Sequence, residues 1–187
     1  MNARARRLFF ALWPSSAMRG ELVTAARATL EAIGPARRVP VANLHLTLAF
    51  LGSLEEGSLS SVREAAAECA SARGAAREPL QVSFDQIDWW RRAQIVCAVA
   101  ARPERAAADL ADALRRALTL RGFAPDLKPF HAHVTLARHV RHGPRHRPLA
   151  PVVWRFEEFA LVESRTEAAG ALYSVLERWS LYSTRGA

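Results

Sequence analysis

Two short segments of the chain place a histidine two residues before a threonine, as His45-Leu46-Thr47 and His133-Val134-Thr135. In the first segment apolar residues alternate with polar ones, a pattern typical of a half-buried β-strand, and the second repeats it. Successive side chains of a strand point to opposite faces, so the histidine and threonine of each segment share a face. If both strands face one cleft, one imidazole can accept a proton while the other donates one.

An acid–base pair of this kind suits an in-line displacement at phosphorus. The base activates the attacking oxygen, and the acid protonates the oxygen that leaves. Threonine hydroxyls can hydrogen-bond the non-bridging oxygens, and a nearby guanidinium can offset the developing negative charge. The arrangement requires no metal and no cofactor. By itself, the spacing of the four residues does not indicate which phosphate compound is the substrate.

The elements that must position these segments follow from apolar periodicity and from helix and strand breakers. Helices are predicted at 18–33, 59–72 and 104–120. Residues 138–151 are predicted as a loop, and a hairpin is predicted across 167–170. Strands are predicted at 7–13, 45–51, 80–87, 94–100, 130–137, 152–164 and 172–182.

The order of these elements divides the chain into two similar halves, because a long helix precedes a motif strand in each. We therefore predict an α+β fold of two pseudo-symmetric lobes. Antiparallel sheets flanked by helices would leave a central groove between the motif strands. Residues 1–187 are expected to form one domain, since a chain of 187 residues with 50% apolar residues can bury a substantial core.

The charge is strongly positive, with 26 basic residues, of which Lys128 alone is lysine, and a formal net charge of +8. Arginine has a planar donor fork that suits phosphate oxygens, so a polyanionic partner is one interpretation. A genomic bias toward arginine and alanine is the other, and composition alone does not separate the two. Position favours the first, because several basic residues lie around the second motif: Lys128, Arg138, Arg141, Arg145 and Arg147.

The chain has no apolar run long enough for a membrane span, and its first apolar segment stops at Pro14. We therefore expect no membrane association. Cys69 and Cys97 have no metal-site spacing and are predicted to be reduced core thiols of a cytoplasmic protein, in preference to a disulfide. Nothing in the sequence indicates a coiled coil, and a monomer is expected.

With their flanking residues, the two motifs resemble the paired signatures of the two-histidine (2H) phosphoesterase superfamily. Residues 45–52 read HLTLAFLG and residues 133–138 read HVTLAR. Within that superfamily, the chain is similar to the RNA 2′,3′-cyclic phosphodiesterases, historically called 2′-5′ RNA ligases. The similarity extends to the first strand, the approaches to both motifs and a late strand, at residues 7–12, 37–44, 128–130 and 161–164.

The resemblance implies hydrolysis of the 2′,3′-cyclic phosphate at an RNA end to a 2′-phosphate. His45 would protonate the departing 3′ oxygen, and His133 would activate water. Thr47 and Thr135 would hold the phosphate oxygens, and Arg138 would contact the phosphate. The resemblance also implies that the binding partner is RNA. Two alternatives remain, a 2′-5′ ligase or transferase that uses the same site and a non-catalytic RNA-binding module.

Strict alternation raises a difficulty for Arg138, because it places this side chain on the face opposite His133. Its role therefore requires a bulge at the strand end. The same alternation places Phe50 on the core face, where packing is favoured over base stacking. Trp89 and Trp90 are likewise assigned to packing.

The second motif also lies in a histidine-rich segment. His131 shares a face with His133 and could contact substrate, modulate the pKa of His133 or lie in solvent. A metal site is disfavoured, because the surrounding arginines would repel a cation. The candidate ligands would be His131, His133, His139, His142 and His146.

Overall fold

Two antiparallel β-sheets carry the two motif segments, and three α-helices cover them. A computed structural model describes residues 5–73, 78–126, 128–167 and 170–181. The helices are α1 (Ser16–Ala32), α2 (Leu59–Arg73) and α3 (Arg105–Leu120). The strands are β1 (Arg6–Leu12), β2 (Arg37–Arg38), β3 (Leu46–Leu54), β4 (Leu80–Trp90), β5 (Ile95–Val99), β6 (His133–Arg138), β7 (Arg147–Phe156), β8 (Glu158–Glu167) and β9 (Gly170–Ser180).

Each sheet contains one motif strand. The first sheet has the strand order β3-β1-β8-β9, and the second has the order β2-β6-β5-β4-β7. Every pairing between adjacent strands is antiparallel. The predicted α+β fold with two antiparallel sheets and a groove between the motif strands is therefore confirmed. The lobes, however, do not coincide with the halves of the chain, because β8 and β9 return from the C-terminal end to pair with β1.

Alternation along each strand separates a core face from a groove face. In β1, Leu8, Phe10 and Leu12 are fully buried in the main apolar core, whereas Phe9 lies in a second, smaller cluster on the opposite face. Helix α3 presents Leu110, Leu114 and Leu118 at a spacing of four residues, which places all three on one buried stripe. This stripe packs against β3 and β4, so α3 links the two sheets behind the groove.

Helix α1 begins and ends at the signals that its sequence contains. The Ser15 hydroxyl accepts a hydrogen bond from the backbone N–H of Met18 at 3.2 Å, which caps one of the free N–H groups at the helix start. Gly34 follows the helix with φ of +68°, a conformation that residues with a Cβ rarely adopt. After this turn the chain continues into β2 and then into the first motif.

Several predicted boundaries differ from the structure. The predicted loop at 138–151 is too long, because β7 already begins at Arg147 and pairs with β4. The prolines of this segment suggested a loop, but Pro148 and Pro151 fall in β7, which lies at a sheet edge, where a missing N–H donor is tolerated. The predicted hairpin pairs β8 with β9 as expected, although its turn at 168–169 and the predicted strand end at 182 lie outside the described residues.

Both cysteines are buried and unpaired with each other, as predicted for Cys69 and Cys97. Within the described ranges, no helix has the length and apolarity needed to cross a membrane.

Trp154 provides a test of the core. Its side chain is fully buried, packs edge-to-face on Phe84 and donates its indole N–H to the Met18 carbonyl at 2.9 Å, so it ties β7 to α1. We expect Trp154→Ala to lower the free energy of unfolding by about 3–5 kcal/mol, because it leaves a cavity and an unsatisfied carbonyl. Leu120→Ala, at a side chain that is 83% exposed, should change it by less than about 0.5 kcal/mol. Urea unfolding measures both, and equal stabilities would contradict this assignment.

Candidate active site

The two His-x-Thr segments face each other across one cavity. This cavity has a volume of about 280 Å³ and is lined by the side chains of both motif histidines and both motif threonines. Three arginines, Arg37, Arg38 and Arg138, also line it, and none of the described lining residues is a carboxylate. A concave site that combines two imidazoles, two hydroxyls and three guanidinium groups suits an anion.

The two histidines are held by equivalent hydrogen bonds. Nδ1 of His45 lies 2.7 Å from the carbonyl oxygen of Asn43, and Nδ1 of His133 lies 2.8 Å from that of His131. A carbonyl oxygen can only accept, so in each ring Nδ1 carries the hydrogen and Nε2 has the free lone pair of the neutral form. Nε2 of His45 lies 3.2 Å from the Thr47 hydroxyl. The two rings therefore present the same atom for proton transfer.

A β-bulge follows each motif threonine and changes which later side chains face the groove. In β6, Thr135 pairs with Cys97 and Ala137 pairs with Val96, so Leu136 is an extra residue. Arg138 consequently lies on the same face as His133, which supplies the bulge that its predicted phosphate contact requires.

The same event in β3 makes the predicted core-face position of Phe50 wrong, although its ring still packs against the smaller apolar cluster. Thr47 pairs with Ala11 and Ala49 pairs with Phe10, so Leu48 is the extra residue. Phe50 therefore lies on the groove face, where it lines a cavity together with His45. Phe50 and Arg138 occupy equivalent positions after their bulges, and the guanidinium of Arg7 lies 4.9 Å from the Phe50 ring centroid.

The surroundings of the two imidazoles differ. His45 is enclosed by three aromatic rings: Trp13 stacks on it at a centroid distance of 5.4 Å, and Phe9 and Tyr173 lie at 4.9 and 5.2 Å. His133 contacts the ring of Trp90 at 4.5 Å. Neither Trp13 nor Tyr173 was predicted as a site residue. Trp13 could have been predicted, because alternation along β1 places it on the same face as Phe9.

A buried arginine lies behind His45. The side chain of Arg19 is only 8% exposed, and its Nε donates to the Leu44 carbonyl at 2.9 Å. Its guanidinium carbon lies 5.0 Å from the ring centroid of Trp13, the same ring that stacks on His45. Arg19 thus contacts both the backbone before His45 and the aromatic ring beside it. No sequence signal marked this residue, because it lies on the buried side of a helix remote from the motif.

Burial and positive charge lower the pKa of both motif histidines. Burial, with contributions from His133, Arg138 and Arg19, lowers the pKa of His45 to about 4, although its bond to Asn43 opposes the shift. Burial, with the charges of His131 and Arg138, also lowers the pKa of His133 below 6.5, although the hydrogen bond to the His131 carbonyl opposes the shift. These shifts favour the neutral form of both imidazoles at pH 7. An anionic ligand would raise both pKa values.

The histidine-rich segment around the second motif contains the candidate metal ligands named from the sequence. Among the residues that it describes, no three His, Cys, Asp or Glu side chains come close enough together to hold a metal ion. The exposed side chain of His131 lines a different cavity from that of His133. His131 acts on the pKa of His133 in two opposite ways: the hydrogen bond to its carbonyl raises it, and the charge of its imidazole lowers it.

Comparison with protein families gives one match that covers most of the chain. Residues 13–168 match the model of the 2′-5′ RNA ligase superfamily. The chain belongs to this superfamily. The recognition made from the two motifs and their flanks is therefore confirmed.

Curated relatives and solved structures agree with membership of the 2′-5′ RNA ligase superfamily. The chain is 31% identical to an RNA 2′,3′-cyclic phosphodiesterase of Escherichia coli K12, over 94% of this chain and 97% of the relative. It is also 31% identical to one of Thermus thermophilus, over 96% and 92%. The crystal structure of E. coli LigT complexed with 3′-AMP superposes with a TM-score of 0.80 at 27% identity, covering 95% of this chain and 98% of LigT.

The contacts of Arg19 lead to a prediction about His45 in this superfamily member. We expect Arg19→Met to raise the pKa of His45 slightly above about 4, because the variant removes one of the positive charges that lower it while burial, the largest cause of the shift, remains. NMR titration of the imidazole C–H resonances measures this pKa directly. Arg27→Met, at an exposed position on the same helix, should leave it unchanged. An unaltered His45 pKa in Arg19→Met would rule out this electrostatic coupling.

Proposed function

We propose that this protein hydrolyses the 2′,3′-cyclic phosphate at an RNA end to a 2′-phosphate, without a metal ion or other cofactor. The observation that carries the proposal is the cavity shared by two imidazoles with equivalent Nδ1 anchors, which leave Nε2 of each ring for proton transfer. Membership of the superfamily and the activity in the names of the two relatives support it.

In the proposed mechanism the two histidines have opposite roles. His133 accepts a proton from water at Nε2, and the water oxygen attacks phosphorus. The bond from phosphorus to the ribose 3′ oxygen breaks, and His45, which acts as the imidazolium with a proton on both ring nitrogens, protonates that oxygen from its Nε2. One proton is thus taken up and one released, and the product retains its phosphate on the 2′ oxygen.

The remaining groove residues stabilise the charge that develops on the phosphate oxygens. Thr47 and Thr135 each lie one strand step from a histidine, on its face, and their hydroxyls would donate to the non-bridging oxygens. Arg138 lies on the same face because of its bulge and supplies a fixed positive charge. The cavity already carries this charge before the substrate binds, so little rearrangement accompanies the reaction.

A ligase or transferase reaction would use the same site in the same direction, with an RNA 5′ hydroxyl in place of water as the attacking group. Water is present at far higher concentration, which favours hydrolysis. Adding an RNA acceptor with a free 5′ hydroxyl tests the alternative, because ligation would yield a longer product with a 2′-5′ bond. The intact pair of motifs argues against a purely non-catalytic RNA-binding module.

We further propose that residues 1–187 act as one domain, that the protein is a monomer and that it works in the cytoplasm. Two buried, unpaired cysteines support a reducing compartment.

Loss of either histidine should abolish most of the activity. His45→Ala and His133→Ala are each expected to lower kcat on a nucleoside 2′,3′-cyclic phosphate by about 10²–10⁴-fold, because each removes one proton-transfer group. The assay is run in EDTA, and the 2′-phosphate product is identified by chromatography. Full activity in either variant, or dependence on an added metal, would refute the mechanism.

The same assay with a substrate that bears sulfur at the 3′ bridging position assigns the two roles. A thiolate leaves without protonation, so this substrate should restore activity to the variant that lacks the acid, His45→Ala, and leave His133→Ala inactive. The released 3′ thiol is measured with a thiol reagent. Rescue of His133→Ala instead would reverse the two roles.

The lowered pKa values predict an acidic optimum for kcat/KM. The productive free protein has one protonated and one neutral imidazole, and both groups titrate below pH 6.5. Above the higher pKa both imidazoles are neutral, so kcat/KM should fall about tenfold per pH unit, and below about pH 4 both are charged. We expect a maximum between pH 4 and 6.5 for a cyclic mononucleotide, whose phosphate stays singly charged throughout. A maximum above pH 7 would contradict these shifts.

A further inference from the structure

A second cavity, with a volume of about 460 Å³, adjoins His133 and is not used by the proposed chemistry. Two residues of its wall contact His133 directly. The ring of Trp90 lies 4.5 Å from the His133 imidazole, and the carbonyl of His131 accepts the hydrogen bond from its Nδ1. The sequence left the role of His131 open, and it assigned Trp90 to packing. The cavity therefore begins where the His133 side of the catalytic groove ends.

The lining of this cavity differs in chemistry from that of the groove. It contains two aromatic rings, Trp90 and Phe130, and two carboxylates, Asp88 and Glu104, with Arg102 as its one arginine among the described lining residues. Among its own described lining residues, the groove cavity has three arginines and no carboxylate. Carboxylates repel a phosphate but accept hydrogen bonds from the N–H groups of a nucleobase, and aromatic rings stack on its faces.

The hydrogen bonds of the two carboxylates fix their positions. Oδ1 of Asp88 accepts from the backbone N–H of Trp89 at 3.0 Å, and Oε1 of Glu104 accepts from that of Ser83 at 2.8 Å. Each carboxylate can accept further hydrogen bonds, because each oxygen has two lone pairs. Arg102 is exposed, so its charge remains available to a phosphate outside the cavity.

We infer that this second cavity is a nucleobase subsite, which binds a base of the RNA while its cyclic phosphate lies between His45 and His133. Trp90 forms the stacking surface, and Asp88 accepts from the base. The inference rests on the proposed function. The base belongs either to the terminal nucleotide or to the one before it, and the two sources give different results in the test below.

The test measures binding of reaction products, so it does not depend on turnover. Calorimetry gives the dissociation constants of adenosine 2′-phosphate and of an adenosine dinucleotide that ends in a 2′-phosphate. We expect Trp90→Leu to weaken binding of the dinucleotide about tenfold, because it removes one stacking interaction. Trp90→Phe retains an aromatic ring and should weaken binding less than threefold. Thermal unfolding checks that both variants fold.

Arg102→Ala is a second, exposed variant whose folding is not at risk. It should weaken dinucleotide binding about threefold to tenfold, with a dependence on salt, whereas Arg105→Ala removes the same charge outside the cavity lining and should have no effect. Weaker binding of both ligands in Trp90→Leu identifies the terminal base, and weaker binding of the dinucleotide alone identifies the preceding base.

Unchanged binding of both ligands in both variants would overturn the subsite. Failure of the proposed reaction would be seen separately, as wild-type protein that binds the products but does not hydrolyse a cyclic phosphate.

Discussion

One extra residue after each motif threonine determines which side chains share the groove. A regular strand would direct Arg138 and Phe50 away from the histidines, and the bulges at Leu136 and Leu48 reverse both. Each bulge directs two successive residues, a leucine and the alanine after it, into the core, where they are buried. The apolar core and the charged groove are therefore set by the same local irregularity, because burying the Leu-Ala pair turns the next residue toward the groove.

The groove has two equivalent acid–base groups in unequal surroundings. The carbonyl two residues before each histidine fixes its ring and leaves Nε2 free, so the pseudo-symmetry extends to the reacting atoms. The environment is not symmetric: three aromatic rings and the buried Arg19 surround His45, whereas His133 contacts Trp90 and the second cavity. Burial and neighbouring cations lower the pKa of both rings. The same cations that attract the phosphate thus lower the pKa of the two imidazoles that act on it.

The connectivity of the chain joins the two sheets to each other. Strands β8 and β9 pair with β1 after the chain has completed the second sheet, and α3 packs against strands of both sheets. Neither sheet is therefore built from one continuous half of the chain. A groove between sheets joined in this way holds the two histidines at a defined separation, which an in-line displacement requires.

The sequence by itself determined the four motif residues, the α+β class with two antiparallel sheets and the family, because period-two alternation and a repeated motif are local properties. It did not determine the faces of Phe50 and Arg138, since a bulge depends on how the partner strand pairs. It also gave no indication of Arg19 and led to a loop where β7 begins at Arg147. Those features depend on contacts between residues far apart in the chain, so only the tertiary structure decided them.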